Sequence, residues 1–199
     1  VTNKGNLTGG QQAFSLILSY SSQIDPRTTY YWRPVQSTLP TPVLSGGGKW
    51  TDGAHWSLTS GGPAANAVPG AGDRVVFDEN SFVNDADTIV VKLPANASCY
   101  SFRWFSKEAV DLSFGGNTLS TAENMTLLTN KVTTSTAGTI EFASTNTTQN
   151  SVDINSNVLD KWNFNFNGNS SWSLTGTGSI DKLTLTQGTL TVSSATLKV

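Results

Sequence analysis

The chain has 199 residues, 37% hydrophobic and only 13% charged, with 12 Lys and Arg against 14 Asp and Glu and a net charge of −2. That length supports a buried core without disulfide or metal staples, and basic charge this thin and unclustered excludes the footprint that nucleic acid or anionic lipid requires. Counting 27 Thr, 24 Ser and 17 Asn places about a third of the chain in small polar types that favour strands, turns and loops over helix interiors. The expected fold class is therefore all-β. No apolar run is long enough to span a bilayer, so membrane insertion is not expected. The single cysteine, Cys99, excludes an internal disulfide and reads as a small buried hydrophobe.

Residues 1–30 carry strand-like alternation, notably Ala13-Phe14-Ser15-Leu16-Ile17-Leu18-Ser19-Tyr20. The pattern is already under way at Val1, as expected of a piece of a longer polypeptide. Residues 31–72 are rich in Pro and Gly and read as a connection. Residues 73–199 form the third region, with strands expected at Asp73–Phe77 and Thr88–Leu93 and then at short intervals. Those later strands are Val110–Phe114, Met125–Leu128, Thr139–Phe142, Val152–Ile154, Phe164–Phe166, Trp172–Leu174, Leu183–Thr186, Leu190–Val192 and Leu197–Val199. Turns are expected at Gly115-Gly116-Asn117 and Asn167-Gly168-Asn169.

Two architectures produce that spacing, an antiparallel β-sandwich and a short parallel β-solenoid (a β-helix-like stack). The abundance of Thr and Asn, which can pair on successive coils, favours the solenoid, preceded by antiparallel strands. An apolar final coil at Thr196–Val199 is expected to continue into another coil or a cap.

The stretch Thr139–Phe142 through Trp162-Asn163-Phe164-Asn165-Phe166, then Ser171–Thr175 and Leu183–Leu190, resembles β-helical segments of the giant, repetitive surface proteins of Bacteroidetes, a group that includes SprB-like gliding adhesins. Upstream, Trp50-Thr51-Asp52-Gly53-Ala54-His55-Trp56, followed by Pro69-Gly70-Ala71-Gly72-Asp73-Arg74-Val75-Val76-Phe77, is similar to the motif that opens such segments. Residues 1–17 look like the last strands of a jelly-roll domain, with Asn3 where His is common. The resemblance implies a Gram-negative, extracellular, cell-surface protein exported by the type IX system, with a sorting domain beyond Val199. It also implies secretion machinery and neighbouring domains of the same long chain as partners.

Chemistry-bearing residues are sparse. His55, the sole histidine, reads as a polar turn residue packed against indole, and no G-x-S-x-G elbow accompanies the many serines. The thinly scattered carboxylates suggest no glycosidase pair, and a solenoid lyase would need more coils. No catalytic residues and no cofactor are therefore expected. Calcium is the one metal with plausible ligands, at Asp73, Asp78, Asp85 and Asp87, the last two forming a D-x-D pair in Asn84–Asp87. A solvated loop is the favoured reading of those acids. Of six tryptophans, Trp50, Trp56, Trp104, Trp162 and Trp172 read as core, whereas Trp32, in Tyr30-Tyr31-Trp32-Arg33-Pro34, is the candidate for an exposed indole that stacks, with Tyr30 and Tyr31, on a surface glycan. Core or interdomain packing is nevertheless the favoured reading there.

Five N-x-S/T sequons, at Asn6, Asn96, Asn124, Asn146 and Asn169, are expected by chance in this composition. If the resemblance holds, Thr88 in Asp87-Thr88-Ile89 fits the acidic-Thr-aliphatic pattern that receives O-glycans. The expected function is a non-catalytic structural or adhesive module. The alternative is an accessory or carbohydrate-binding domain of a secreted peptidase or glycan-degrading enzyme.

Overall fold

The computed structural model describes residues 25–36, 44–83, 89–193 and 197–198. The stretch compared with a jelly roll, residues 1–17, lies outside them, as do Asp85, Asp87 and Thr88. The strands, in chain order, are β1 (Thr29–Trp32), β2 (Val35–Gln36), β3 (Leu44–Ser45), β4 (Gly48–Lys49), β5 (Trp56–Ser57), β6 (Arg74–Phe77), β7 (Ile89–Lys92), β8 (Ala97–Cys99) and β9 (Ser101–Trp104). They continue with β10 (Val110–Ser113), β11 (Thr118–Thr121), β12 (Met125–Leu127), β13 (Val132–Thr133), β14 (Gly138–Phe142), β15 (Gln149–Asp153), β16 (Val158–Thr175), β17 (Gly178–Val192) and β18 (Leu197–Lys198). A single turn of 3-10 helix, Gly53–His55, is the one helical element among the described residues.

The chain winds as a parallel β-solenoid. Five successive coils, β7 to β9, β10 to β12, β13 to β15, β16 and β17, each contribute to three faces, and strands of one face stack in parallel register. One inward ladder runs Val75, Phe102, Met125, Val152, Leu174, Val192. A second runs Ala97, Leu119, Ile140, Phe164, Leu183. A third begins Ile89, Val110, Val132. Strands as short as β8 hold because each has a neighbour to hydrogen-bond, which an isolated three-residue strand lacks. The antiparallel sandwich is thereby set aside for this region, and antiparallel pairing is found before it, in β1 with β5 and β2 with β3.

β16 shows how the period-two sequence becomes a coil. Leu159, Trp162, Phe164, Phe166, Trp172 and Leu174 are buried, and Asn163, Asn165, Ser171 and Ser173 alternate outward. The turn expected at Asn167-Gly168-Asn169 is absent as an interruption, because the strand bends there while staying in its ladder. Alternation persists through the bend with Gly168 and Ser170 inward. A Cβ on Gly168 would stand 2.1 Å from the Ser144 carbonyl oxygen, so the corner has room for no side chain at all. Gly115-Gly116, by contrast, does turn, with both residues at positive φ.

Polar side chains stitch the coils together at their corners. Asn117 Nδ2 donates to the Leu93 and Phe114 carbonyls at 2.8 and 2.9 Å. Asn157 repeats the arrangement, donating to the Thr129 and Ile154 carbonyls while its Oδ1 accepts from the Val132 N–H at 3.0 Å. Asp111 accepts from both the backbone N–H and the hydroxyl of Ser135 one coil later. Three sequon asparagines are used similarly: Asn96 accepts from Thr118 N–H, Asn124 from Ser151 N–H, and Asn146 from the Ser170 hydroxyl.

The N-terminal side is closed by aromatic residues. β1 stacks in parallel on β6, and the two-residue β5 pairs with its other edge. Trp32, Trp50 and Trp56 pack in one core with Phe77, Phe82 and Trp104, so the Pro- and Gly-rich segment forms a cap on the solenoid. At the far side, Leu185 and Val192 of β17 are about half exposed.

Candidate functional site

The cap motif builds itself from local chemistry. Asp52 caps the 3-10 turn, its carboxylate accepting from the Ala54 N–H at 3.0 Å. That turn delivers His55 and Trp56 to the core, where Trp56 Nε1 donates to the Trp50 carbonyl at 2.7 Å. In the downstream half of the motif Asp73 accepts from the Gly70 N–H at 2.9 Å and so closes the turn that leads into β6. Asp78 is spent likewise, accepting from the Asn80 N–H and the Ser81 hydroxyl. Among the described residues no group of three or more His, Cys, Asp or Glu converges on a point that could hold a metal ion. Asp73 and Asp78 are turn-formers.

The expected aromatic platform does not form. Trp32 is 0% exposed, its indole N–H donating to the Gly46 carbonyl at 2.8 Å and its ring edge-on to Trp56. Core packing, the favoured reading of Trp32, is what forms, and the residues that cover it, Gly46 and His55, are distant in sequence. Tyr30 turns inward beside Trp56, and only Tyr31 of the three faces an open surface.

His55 packs against indole as expected, the partner being Trp32. Its Nδ1 lies 3.0 Å from the Arg33 carbonyl, to which it must donate. Burial holds the imidazole pKa below its usual value, against the opposing pull of that carbonyl and of Asp52. Among the described residues neither a serine hydroxyl nor a carboxylate oxygen is hydrogen-bonded to the ring, and the geometry there is that of a packing residue. Cys99 is buried, and desolvation pushes its thiol up to about 12, which leaves it protonated and unreactive.

The outward side chains of β1, β6, β9, β12 and β15, with Glu123 and Asn124 of the turn before β12, make a groove of about 400 Å³ lined by Thr29, Tyr31, Arg74, Val76, Ser101, Arg103, Glu123, Asn124, Thr126 and Ser151. Two rows in register account for most of it. One runs Tyr31, Val76, Arg103, Thr126, and the other Thr29, Arg74, Ser101. Several of these groups are held in place by neighbours. Arg74 is ion-paired with Asp25, whose carboxyl is held below the ordinary range, first by the Arg27 backbone N–H and then by the Arg27 side chain and Arg74. Tyr100 donates to Glu123 at 2.8 Å, and the Arg27 guanidinium lies 3.6 Å over the Tyr100 ring. Asn124 Oδ1 accepts from both the N–H and the hydroxyl of Ser151.

Arg103 differs from these. It is exposed, it sits 4.7 Å over the Phe105 ring, and it has no carboxylate partner among the described residues. Glu123 is the one carboxylate lining the groove, and it is already engaged by Tyr100, so the pair of acids that glycoside cleavage needs is not assembled there. The groove offers hydroxyl, amide, guanidinium, phenol and carboxylate groups.

No known protein family, curated protein or solved structure matches the chain.

Proposed function

We propose that the chain is a non-catalytic structural and adhesive module of a large secreted cell-surface protein. The observation that carries this reading is the stitching of successive coils by buried and half-buried polar side chains. Asn117, Asn157 and Asp111 each tie one coil to another, so that separating coils breaks backbone ladder and side-chain bonds together. A nearly uncharged surface of Thr, Ser and Asn on such a stack suits a spacer that resists pull and proteolysis outside the cell. The resemblance of the Trp50–Trp56 and Pro69–Phe77 motifs to those of Bacteroidetes surface proteins supports export by the type IX route and a place in an adhesin, including one used for gliding.

The second reading, an accessory or carbohydrate-binding domain of a secreted peptidase or glycan-degrading enzyme, is favoured by the polar groove over β1 to β15. One experiment on the producing cells separates the two. An antibody raised against the chain is expected to label intact, unpermeabilised cells, and in-frame deletion of its coding segment is expected to reduce attachment to surfaces while secreted hydrolase activity stays unchanged. Labelling only after permeabilisation, or loss of hydrolase activity with attachment intact, overturns the first reading.

A further inference from the structure

We infer that the groove over β1, β6, β9, β12 and β15 binds a linear acidic polysaccharide, with Arg103 as the residue that reads a sugar carboxylate. The inference names a ligand class for the groove that favours the second reading, serves an adhesive module equally, and rests on the groove alone. Three observations carry it.

The first is repetition. Five parallel strands spaced about 4.8 Å apart present their outward side chains as regular rungs. A pyranose unit in an extended chain advances by a similar distance, so one sugar can meet one rung. A peptide strand lying across these rungs would find no free backbone edge, because β1, β6, β9, β12 and β15 are each paired on both sides.

The second is composition. Thr29, Ser101, Thr126 and Ser151 offer hydroxyls, Asn124 an amide, and Tyr31 a ring whose face can stack on a sugar. The floor between Tyr31 and Arg103 is Val76, only 8% exposed, an apolar contact for the C–H face of a pyranose. This is a polar cleft with one small apolar spot, unlike a pocket for a compact apolar ligand.

The third is charge. Asp25 is shared between Arg27 and Arg74, and Glu123 keeps its charge while accepting from Tyr100, so three guanidinium groups stand against two carboxylates around the groove and Arg103 is the one with no carboxylate partner among the described residues. An exposed guanidinium braced over Phe105 presents a planar fork that matches a carboxylate bidentately. A neutral glycan would leave that fork unused, whereas a uronate fills it.

The test is calorimetric titration of the purified chain with polygalacturonate, and with dextran as a neutral polymer. Saturable binding to polygalacturonate alone is expected, weakened about tenfold or more by Arg103→Ala and by Tyr31→Ala. Arg103→Lys is expected to recover only part of the loss, because charge is kept and the fork is not. Lys182→Ala, on the exposed face of β17, is expected to leave affinity unchanged. Thr126→Trp, which fills the groove without changing charge, covers the case in which the alanine variants fail to fold. Equal binding of both polymers, binding insensitive to Arg103→Ala and Thr126→Trp, or no binding to polygalacturonate overturns the inference. Surface labelling and attachment of the producing cells report on the adhesive reading independently, so that reading can stand when this one falls.

Discussion

Trp32 and His55 lie face to face, with ring centroids 4.6 Å apart and planes within 9° of parallel. The far side of the imidazole is closed by Gly48, where a Cβ would fall 2.1 Å from His55 Nε2. The ring is thus wedged between an indole and a backbone, and cannot yield to added volume by swinging away. Gly48→Ala is expected to destabilise the fold by about 2 kcal/mol through overpacking, and His55→Ala by about 2–3 kcal/mol through lost stacking and a cavity. The double variant is expected to cost less than the sum, with a coupling of about 1 kcal/mol, measured by denaturant unfolding. Strict additivity would show that the two residues are not in contact.

The same wedge makes stability depend on pH. Burial lowers the folded-state pKa of His55, so between that value and the unfolded value near 6.5 the unfolded chain binds a proton that the folded chain refuses. The contribution of neutral His55 is complete above about 6.5 and is lost as pH falls through that window. The thermal midpoint is expected to drop between pH 7 and 5 in the wild type, and the drop is expected to shrink in His55→Gln. Equal slopes in the two proteins would place the titrating group elsewhere.

Asn157 is fully buried and makes three hydrogen bonds that tie the β16 corner to Thr129, Val132 and Ile154. Replacing it by Ala strands a buried N–H and two carbonyls, at an expected cost of about 2–4 kcal/mol. Asn157→Asp is expected to be at least as costly, because an acceptor would then face two carbonyls. Chemical denaturation with unchanged m-values is the check, and a loss under 1 kcal/mol would demote the corner bonds to decoration.

Cys99, with its thiol pushed up to about 12, is expected to resist alkylation at pH 8 in the folded protein and to react at once when the chain is unfolded. Its raised pKa also contributes stability that is complete below about 9, the unfolded value, and is lost as pH rises toward 12. Rapid labelling under native conditions would mean that the β8 face opens.

The alternation of Phe164, Phe166, Trp172 and Leu174 was readable because each inward residue is large and each outward one is small and polar. β8, β11 and β13 were not readable. Thr118-Leu119-Ser120-Thr121 carries one large apolar residue, and what makes it a strand is pairing with Ala97–Cys99 on one side and Gly138–Phe142 on the other. The Gly168 corner was misread as a turn because glycine signals both a reversal and a close backbone approach, and the sequence does not say which. The burial of Trp32 is legible in the sequence only as the weightier of two readings, since its cover comes from Gly46 and His55, remote in the chain. The groove has no local signature at all. Tyr31, Arg74, Arg103, Asn124 and Ser151 belong to five separate stretches, and only the parallel register brings them to one surface.

The fold is a stack of coils in parallel register, and a cross-link tests that directly. Thr139 of β14 and Asn163 of β16 are register partners with their side chains outward. Adjacent strands place such a pair within disulfide range, while an offset of two residues puts it beyond about 7 Å. The double variant Thr139→Cys with Asn163→Cys is expected to form an intramolecular disulfide under mild oxidation, and Thr139→Cys with Asn165→Cys is expected to remain reduced. Cross-linking of the offset pair alone, or of neither, would contradict the solenoid.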